Sequence, residues 1–133
     1  MCGEWPQATH HIADLQETRV ALEDDQFFAG WTILALKRHA VELYELEASE
    51  RARVMEDVNA VAQALAHVFQ PRKINYAFFG NRVPHMHWHI IPRLSDDPAP
   101  LETPWGVPHT PAPLGPAARA DRIARIRARL LSA

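Results

Sequence analysis

Residues 84–92 read Pro-His-Met-His-Trp-His-Ile-Ile-Pro, three histidines alternating with apolar residues between two prolines. Strict alternation over this length reads as a β-strand, in which residues two apart share a face. His85, His87 and His89 would then line one side, with Met86, Trp88 and Ile90 on the other. Imidazole transfers protons near neutral pH and can act as a nucleophile. Placing three on one strand face sacrifices β-propensity and desolvates polar rings, so chemistry is the leading explanation.

Which chemistry depends on geometry. Same-face neighbours on a strand are roughly 6.5–7 Å apart, so the outer two rings are roughly 13–14 Å apart. Zinc needs nitrogens at ~2.0–2.1 Å in a tetrahedron, which two adjacent histidines can supply but three in a straight row cannot easily. No cysteine or carboxylate beside the row completes such a set. An extended anion fits better. A phosphate chain could lie along the row, with one imidazole attacking phosphorus and its neighbours donating protons to phosphate oxygens. His87, flanked on both sides, is then the attacker. The alternative without chemistry is three histidines hydrogen-bonded in a polar interior.

The elements that must position this strand are legible in outline. Thr18–Leu22 alternates as a strand, Glu23–Gln26 is a polar connection, and a second strand, Trp31–Leu36, follows Gly30. Residues 1–14 show no regular pattern, and Val41–Leu46 reads as a short helical piece. From Ser49 to Gln70, Val54, Met55, Val58, Val61, Ala62, Leu65, Val68 and Phe69 recur at three- and four-residue steps, giving a long amphipathic helix. Ser49 is its expected N-cap, and Pro71 stops it. Lys73–Phe79 is a third strand, joined to the histidine strand through a tight connection at Gly80-Asn81. Nine of the eleven prolines lie at or beyond Pro84, so the region after Pro92 is expected as an extended surface tail. Ala117–Leu131 could form a short helix with Ile123, Ile126 and Leu130 on one side and five arginines on a solvated face. The sum is a small antiparallel α+β domain, a sheet of four or five strands with one long helix.

Bulk properties narrow the class. The 133 residues suffice for one domain with a real core, and 47% hydrophobic with 23% charged residues is ordinary for a globular protein. A net charge of −2 gives no footprint for bulk nucleic-acid binding. Cys2 is the single cysteine, which excludes an internal disulfide and suits a reducing cytoplasm. No apolar run approaches ~20 residues, and no basic-then-apolar leader opens the sequence, so a cytoplasmic protein with no membrane association is expected.

His85-Met86-His87-Trp88-His89-Ile90-Ile91 resembles the signature of the histidine-triad superfamily, His-φ-His-φ-His-φ-φ with φ apolar. The resemblance extends through Gly30–His39, the long helix, Lys73-Ile74-Asn75 and Gly80-Asn81, covering roughly residues 15–93 in order and spacing. It implies residues 1–97 as the histidine-triad domain and 98–133 as a proline-rich C-terminal extension. It further implies a homodimer with a sheet continuous across subunits, and a nucleotide hydrolase acting at the α-phosphate of dinucleoside polyphosphates or related conjugates, close to the diadenosine-polyphosphate-hydrolase branch. On that resemblance His87 is the nucleophile, with its other ring nitrogen held by a backbone carbonyl near His85. His89 would assist the leaving group and His85 would support the phosphate pocket. A phosphorylase or transferase, and a nucleotide-binding regulatory module, are the alternatives. Mg2+ is chemically reasonable on a polyphosphate, but no carboxylate cluster in the sequence marks a resident metal site.

This chain departs from the family pattern at two places. Where the family commonly carries Gly-Gln-Ser or Gly-Gln-Thr before the triad, this chain has Gly80-Asn81-Arg82, making Asn81 and Arg82 candidate phosphate ligands. Where the family has a further histidine after the early glycine, this chain has Trp31. By the same resemblance Asp24 or Asp25 would take the ribose hydroxyls, with Asp25 preferred. Asn75 is either a polar support beneath the site or a hydrogen-bonded strand asparagine, His39 is matched in the family as a substrate-binding candidate or, more commonly, a structural residue, and Trp105 would reach a partner's site. Phe27 and Phe28 either sandwich a base or belong to the core.

Overall fold

The computed structural model describes residues 5–132, and Cys2 lies outside them. Along the chain run β1 (His11–Asp14), β2 (Thr18–Leu22), β3 (Thr32–Leu36), α1 (Ala48–Phe69), β4 (Lys73–Ala77), β5 (His87–Arg93) and α2 (Pro116–Leu131). The strands form one antiparallel sheet in the order β1-β2-β3-β5-β4. β3 is buried at every position, because its run Thr32-Ile33-Leu34-Ala35-Leu36 is covered on both faces. A strand covered on both faces carries apolar residues continuously instead of alternating them.

One sheet face receives the helices. Met86, Trp88 and Ile90 pack with Val20, Leu22, Leu34 and Leu36 against Val54, Val58, Val61 and Leu65 of α1. The helix begins one residue before the expected cap: Glu47 occupies the N-cap and Ser49 lies in the first turn. Its end is at Gln70, which adopts a left-handed conformation (φ +48°) and donates its amide to the Ala66 carbonyl. The stripe also contains a buried carboxylate. Asp57 accepts from the Glu17 amide at 2.8 Å and the Thr18 hydroxyl at 3.0 Å, tying α1 to the start of β2.

Three further expectations about the fold need correction. A short strand, β1, lies in the stretch that shows no sequence pattern, its four residues being too few for a period to register. The connection from β4 to β5 is a long irregular loop over residues 78–86, with no tight hairpin at Gly80-Asn81. The region beyond Pro92 is also more than a surface tail. α2 places Ile123, Ile126 and Leu130 in the same core as α1, and Pro104 and Val107 are buried on the other sheet face.

Residues 94–115 therefore run across the second face as a strap, held by Arg93. This guanidinium, 3% exposed, donates to Asn75 Oδ1 (2.8 Å), the Asp97 carboxylate, and the carbonyls of Ala99 (2.8 Å) and Glu102 (2.6 Å). It also lies over the Phe28 ring. The Arg93–Asp97 pair is almost fully buried, and the additional acceptors satisfy the remaining N–H groups, which such a pair requires. Because α2 is core, Ile126→Ala is expected to destabilise the whole domain by about 2–5 kcal/mol. A urea titration should show a single transition at lower midpoint, not a separate early loss of the C-terminal helix.

Candidate active site

β5 lies between β3 and β4, with His87 opposite Ala35 and His89 opposite both Ile33 and Ala77. Directly opposed residues share a face, and the methyl groups of Ala35 and Ala77 leave lateral room for imidazole rings. Regular pairing starts only at His87. Just before it, His85 N–H donates to the Val83 carbonyl in a turn, and Met86 N–H to the Ala40 carbonyl. The three rings consequently do not form the even row expected from alternation. His87 and His89 pair with centroids 5.1 Å apart, while His85 turns to His39, 5.3 Å away.

The hydrogen bonds assign the protons on the neutral rings. His87 Nδ1 lies 2.7 Å from the His85 carbonyl, which can only accept, so Nδ1 carries the hydrogen and Nε2 keeps its lone pair. His85 Nε2 donates to the Leu36 carbonyl at 2.6 Å, leaving its Nδ1 to accept from His39 Nδ1 at 3.2 Å. Trp31 Nε1 donates to His89 Nδ1 at 3.0 Å, so His89 carries its hydrogen on Nε2. Burial pushes the pKa of His87 below the ordinary histidine value, against the opposing pull of the His85 carbonyl. Burial, reinforced by His87, lowers that of His89 to about 4. Both rings are neutral near pH 7.

Aromatic side chains enclose this pair. Trp5 stands edge-on to His87 at 4.6 Å, and His87 is only 6% exposed. Trp105, carried by the strap, is perpendicular to His89 at 5.1 Å, to Trp31 at 5.3 Å and to Phe79 at 5.2 Å. A cavity of about 290 Å³ opens beside His89, lined by Glu23, Asp25, Trp31, Trp105 and His109 among others. A smaller one, about 60 Å³, lies between Trp5, Glu23, Asp24 and Ile33. Glu23 borders both, and burial raises its pKa.

The other residues singled out from the sequence fall into separate places. Asp25 lines the larger cavity, but its carboxylate is engaged by His109 Nε2 (2.7 Å) and the amides of Phe27 (3.0 Å) and Ala112 (2.9 Å). These bonds outweigh desolvation and keep its pKa below the ordinary carboxylate value, while the same pairing raises that of His109. Asp24 accepts from His10 at 3.0 Å. Asn75 is held by Arg93, and Asn81 and Arg82 are exposed on the 78–86 loop. Phe28 belongs to the core with Trp31, Ile91 and Val107, whereas exposed Phe27 stacks on His109. Trp105 lies on His89 of its own chain. Sequence reasoning missed Trp5, Glu23 and Arg93. The two-residue period running from His87 through His89 and Ile91 to Arg93 was the available signal for the last of these.

Among the described residues, no group of three or more histidine, cysteine or acidic side chains is placed to hold a metal ion.

A HIT-domain family model matches residues 6–96. A histidine triad protein from Bradyrhizobium japonicum is 31% identical, with 90% of this chain and 89% of that chain covered at a TM-score of 0.80. One from Marinobacter aquaeolei is 28% identical, covering 92% of this chain and 89% of the other at 0.81. A Plasmodium falciparum diadenosine triphosphate hydrolase shares the fold at 14% identity, 95% and 79% coverage and a TM-score of 0.72. No curated protein matches the sequence. The family match over most of the chain, the likeness to the Bradyrhizobium protein and the paired imidazoles of β5 agree: this chain belongs to the histidine triad (HIT) family.

Proposed function

We propose that this protein is a nucleotide hydrolase that attacks the α-phosphate of a dinucleoside polyphosphate or related conjugate through His87. The observation that carries the reading is the 2.7 Å bond from His87 Nδ1 to the His85 carbonyl, which leaves Nε2 unprotonated. Nε2 forms a bond to phosphorus as the bond to the leaving group breaks, and the departing group takes that electron pair. Water then attacks the same phosphorus and releases a proton to solvent, the P–N bond breaks, and the electron pair returns to His87 as nucleoside monophosphate leaves. Splitting one displacement into two is the general advantage of a covalent nucleophile.

His89 presents an Nε2–H to a phosphate oxygen, and the cavity beside it receives the nucleotide. Because His87 is covered by Trp5, binding includes displacement of that indole. Arg82 on the exposed loop supplies a cation for the distal phosphates, with Asn81 beside it. Any Mg2+ arrives on the polyphosphate. The diadenosine triphosphate hydrolase that shares the fold supports this substrate class.

The reading includes a cytoplasmic homodimer. No helix among the described residues is long and apolar enough to cross a membrane. β4 is an edge strand, and Tyr76 (54% exposed), Met55 and Phe78 leave apolar surface beside it. Pairing that edge with a second copy would extend the sheet and cover the patch. Analytical ultracentrifugation should therefore give twice the chain mass of 15.1 kDa, and Tyr76→Glu should shift the protein toward monomer.

His87→Ala is expected to lower turnover of diadenosine polyphosphate by about 10³-fold or more. Intact-mass analysis after brief reaction should show an acid-labile nucleotide adduct on the wild type and none on the variant. A wild type that never acquires the adduct while turning over substrate would remove His87 as nucleophile.

The lowered histidine pKa values set two pH dependences. With His87 neutral in the folded enzyme, the acid limb of kcat/KM should lie below pH ~6.5, the value for an unperturbed histidine. Stability follows the same sign. A histidine whose folded-state pKa is depressed contributes fully above about pH 6.5 and loses that contribution as pH falls toward its folded value, about 4 for His89. The raised pKa of His109 works oppositely and partly offsets this. Thermal melts should show Tm falling from pH 7 to pH 5, with a smaller fall in His89→Phe.

A further inference from the structure

We infer that Trp31 is a positioning residue that holds His89 as a neutral Nε2–H donor, and that this selects nucleoside phosphoanhydrides over phosphoramidates as substrates. The inference rests on the reading that His87 attacks phosphorus, and it adds which leaving groups the site can release.

An indole N–H only donates. At 3.0 Å from Trp31 Nε1, His89 Nδ1 must be the acceptor. To become an imidazolium, His89 would need a hydrogen on that same nitrogen, setting two donors against each other. The indole cannot easily turn aside. It is 6% exposed, its ring contacts Phe28 and Trp105, and its backbone amide donates to the Phe28 carbonyl at 3.1 Å. Buried Gln26 closes the loop around it, donating to the carbonyls of Glu23 (2.9 Å) and Trp31 (3.0 Å) and accepting from the Gly30 amide (3.0 Å). Gly30 itself has φ +90°, and a Cβ there would come within 2.6 Å of the Phe69 ring. Other groups around His89 do not restore a charge. His87 is a neutral neighbour, Glu23 is driven toward its neutral form by burial, and the Asp25 carboxylate is taken up by His109.

A neutral imidazole N–H can hydrogen-bond to a departing atom but is a very weak acid. For a phosphoanhydride this suffices, because the leaving group is a phosphate oxygen that is stable as an anion near neutral pH. A phosphoramidate expels an amine, and its nitrogen must acquire a proton as the P–N bond breaks. Lack of a general acid at that point withholds a contribution of typically 10²–10⁴-fold. Trp31 thereby acts on substrate choice through His89, without touching the reacting atoms.

The test compares kcat/KM for diadenosine tetraphosphate and an adenosine 5′-alkylphosphoramidate in wild type and Trp31→Phe, which keeps an aromatic ring and removes the donor. The anhydride-to-phosphoramidate ratio should fall at least tenfold in Trp31→Phe, and the acid-side group of its phosphoramidate pH profile should move upward from the wild-type position while burial still holds it below an ordinary histidine. In the wild type, ¹⁵N NMR should show His89 with a bare Nδ1 and a protonated Nε2 from pH 5 to pH 8. A ratio unchanged within twofold in folded Trp31→Phe, or a hydrogen on His89 Nδ1, overturns the inference. Turnover of neither substrate, with no nucleotide on His87, defeats the nucleophile reading and the selectivity with it. The NMR tautomer then still decides what Trp31 does to His89.

Discussion

The His85 carbonyl is the constraint on which the site depends. For that oxygen to face His87 Nδ1, the backbone must leave regular β-pairing immediately before His87, and it does so in the turn closed by His85 N–H on the Val83 carbonyl. A ladder continued to His85 would spend that carbonyl on a neighbouring strand and leave the imidazole tautomer unspecified. The irregularity is itself braced. Met86 N–H reaches the Ala40 carbonyl, its carbonyl accepts from the Leu36 amide, and the His85 ring fastens to the Leu36 carbonyl. The end of β3 thus holds the turn, and the turn holds His87 with its Nε2 bare.

The sheet divides its two faces between the main core and the paired imidazoles. The α1 and α2 face is apolar and contiguous, and it carries most of the core. The opposite face bears polar rings that cannot be covered by a helix without blocking access. Here a strap does the covering, anchored at one end by Arg93 and at the other by the Asp25–His109 pair and the Gln26 amide on the Ala112 carbonyl. Such anchors are polar and local, so the strap can exclude water from His89 while sharing little of the main core. Arg122 of α2 donates to Gln26 at 2.9 Å, linking the helical face to the loop that orients Trp31.

Sequence reading captured what depends on period and missed what depends on tertiary contact. α1 and β3 follow from apolar spacing, and the strand character of 87–92 from alternation. The same alternation overreached at His85, because a period of two contains no information about where pairing stops. Asp25 offered a carboxylate in the right segment, yet its partners, His109 and Ala112, lie more than 80 positions away and no local rule announces them. Proline density argued against strands after β5, and none lies there among the described residues, but it implied an extended surface tail. Prolines remove amide donors without preventing burial, and Pro104 and Val107 are both buried. The last helix was legible, because Ile123, Ile126 and Leu130 share the side opposite its solvated arginines, and those three residues bind it to the core.

Under the proposed function, burial of the paired imidazoles resolves a conflict built into phosphoryl chemistry. A cationic imidazole would bind a polyphosphate more strongly, but its nitrogen would have no lone pair with which to attack. Enclosure by Trp5, Trp31 and Trp105 disfavours the cation and keeps His87 nucleophilic at the expense of electrostatic affinity. Attraction for the anion must then come from farther out, where charge does not reprotonate the nucleophile. Arg82 on the 78–86 loop is suited to that role, being exposed and outside the aromatic enclosure. Inside it, directed N–H groups replace net charge. A preorganised donor in a dry site stabilises developing negative charge more effectively than it would in water, with little reorganisation at the moment of reaction. On this view the indole of Trp31 supplies what a further histidine could not: a donor that never titrates, fixing its neighbour without adding a second proton equilibrium to the site.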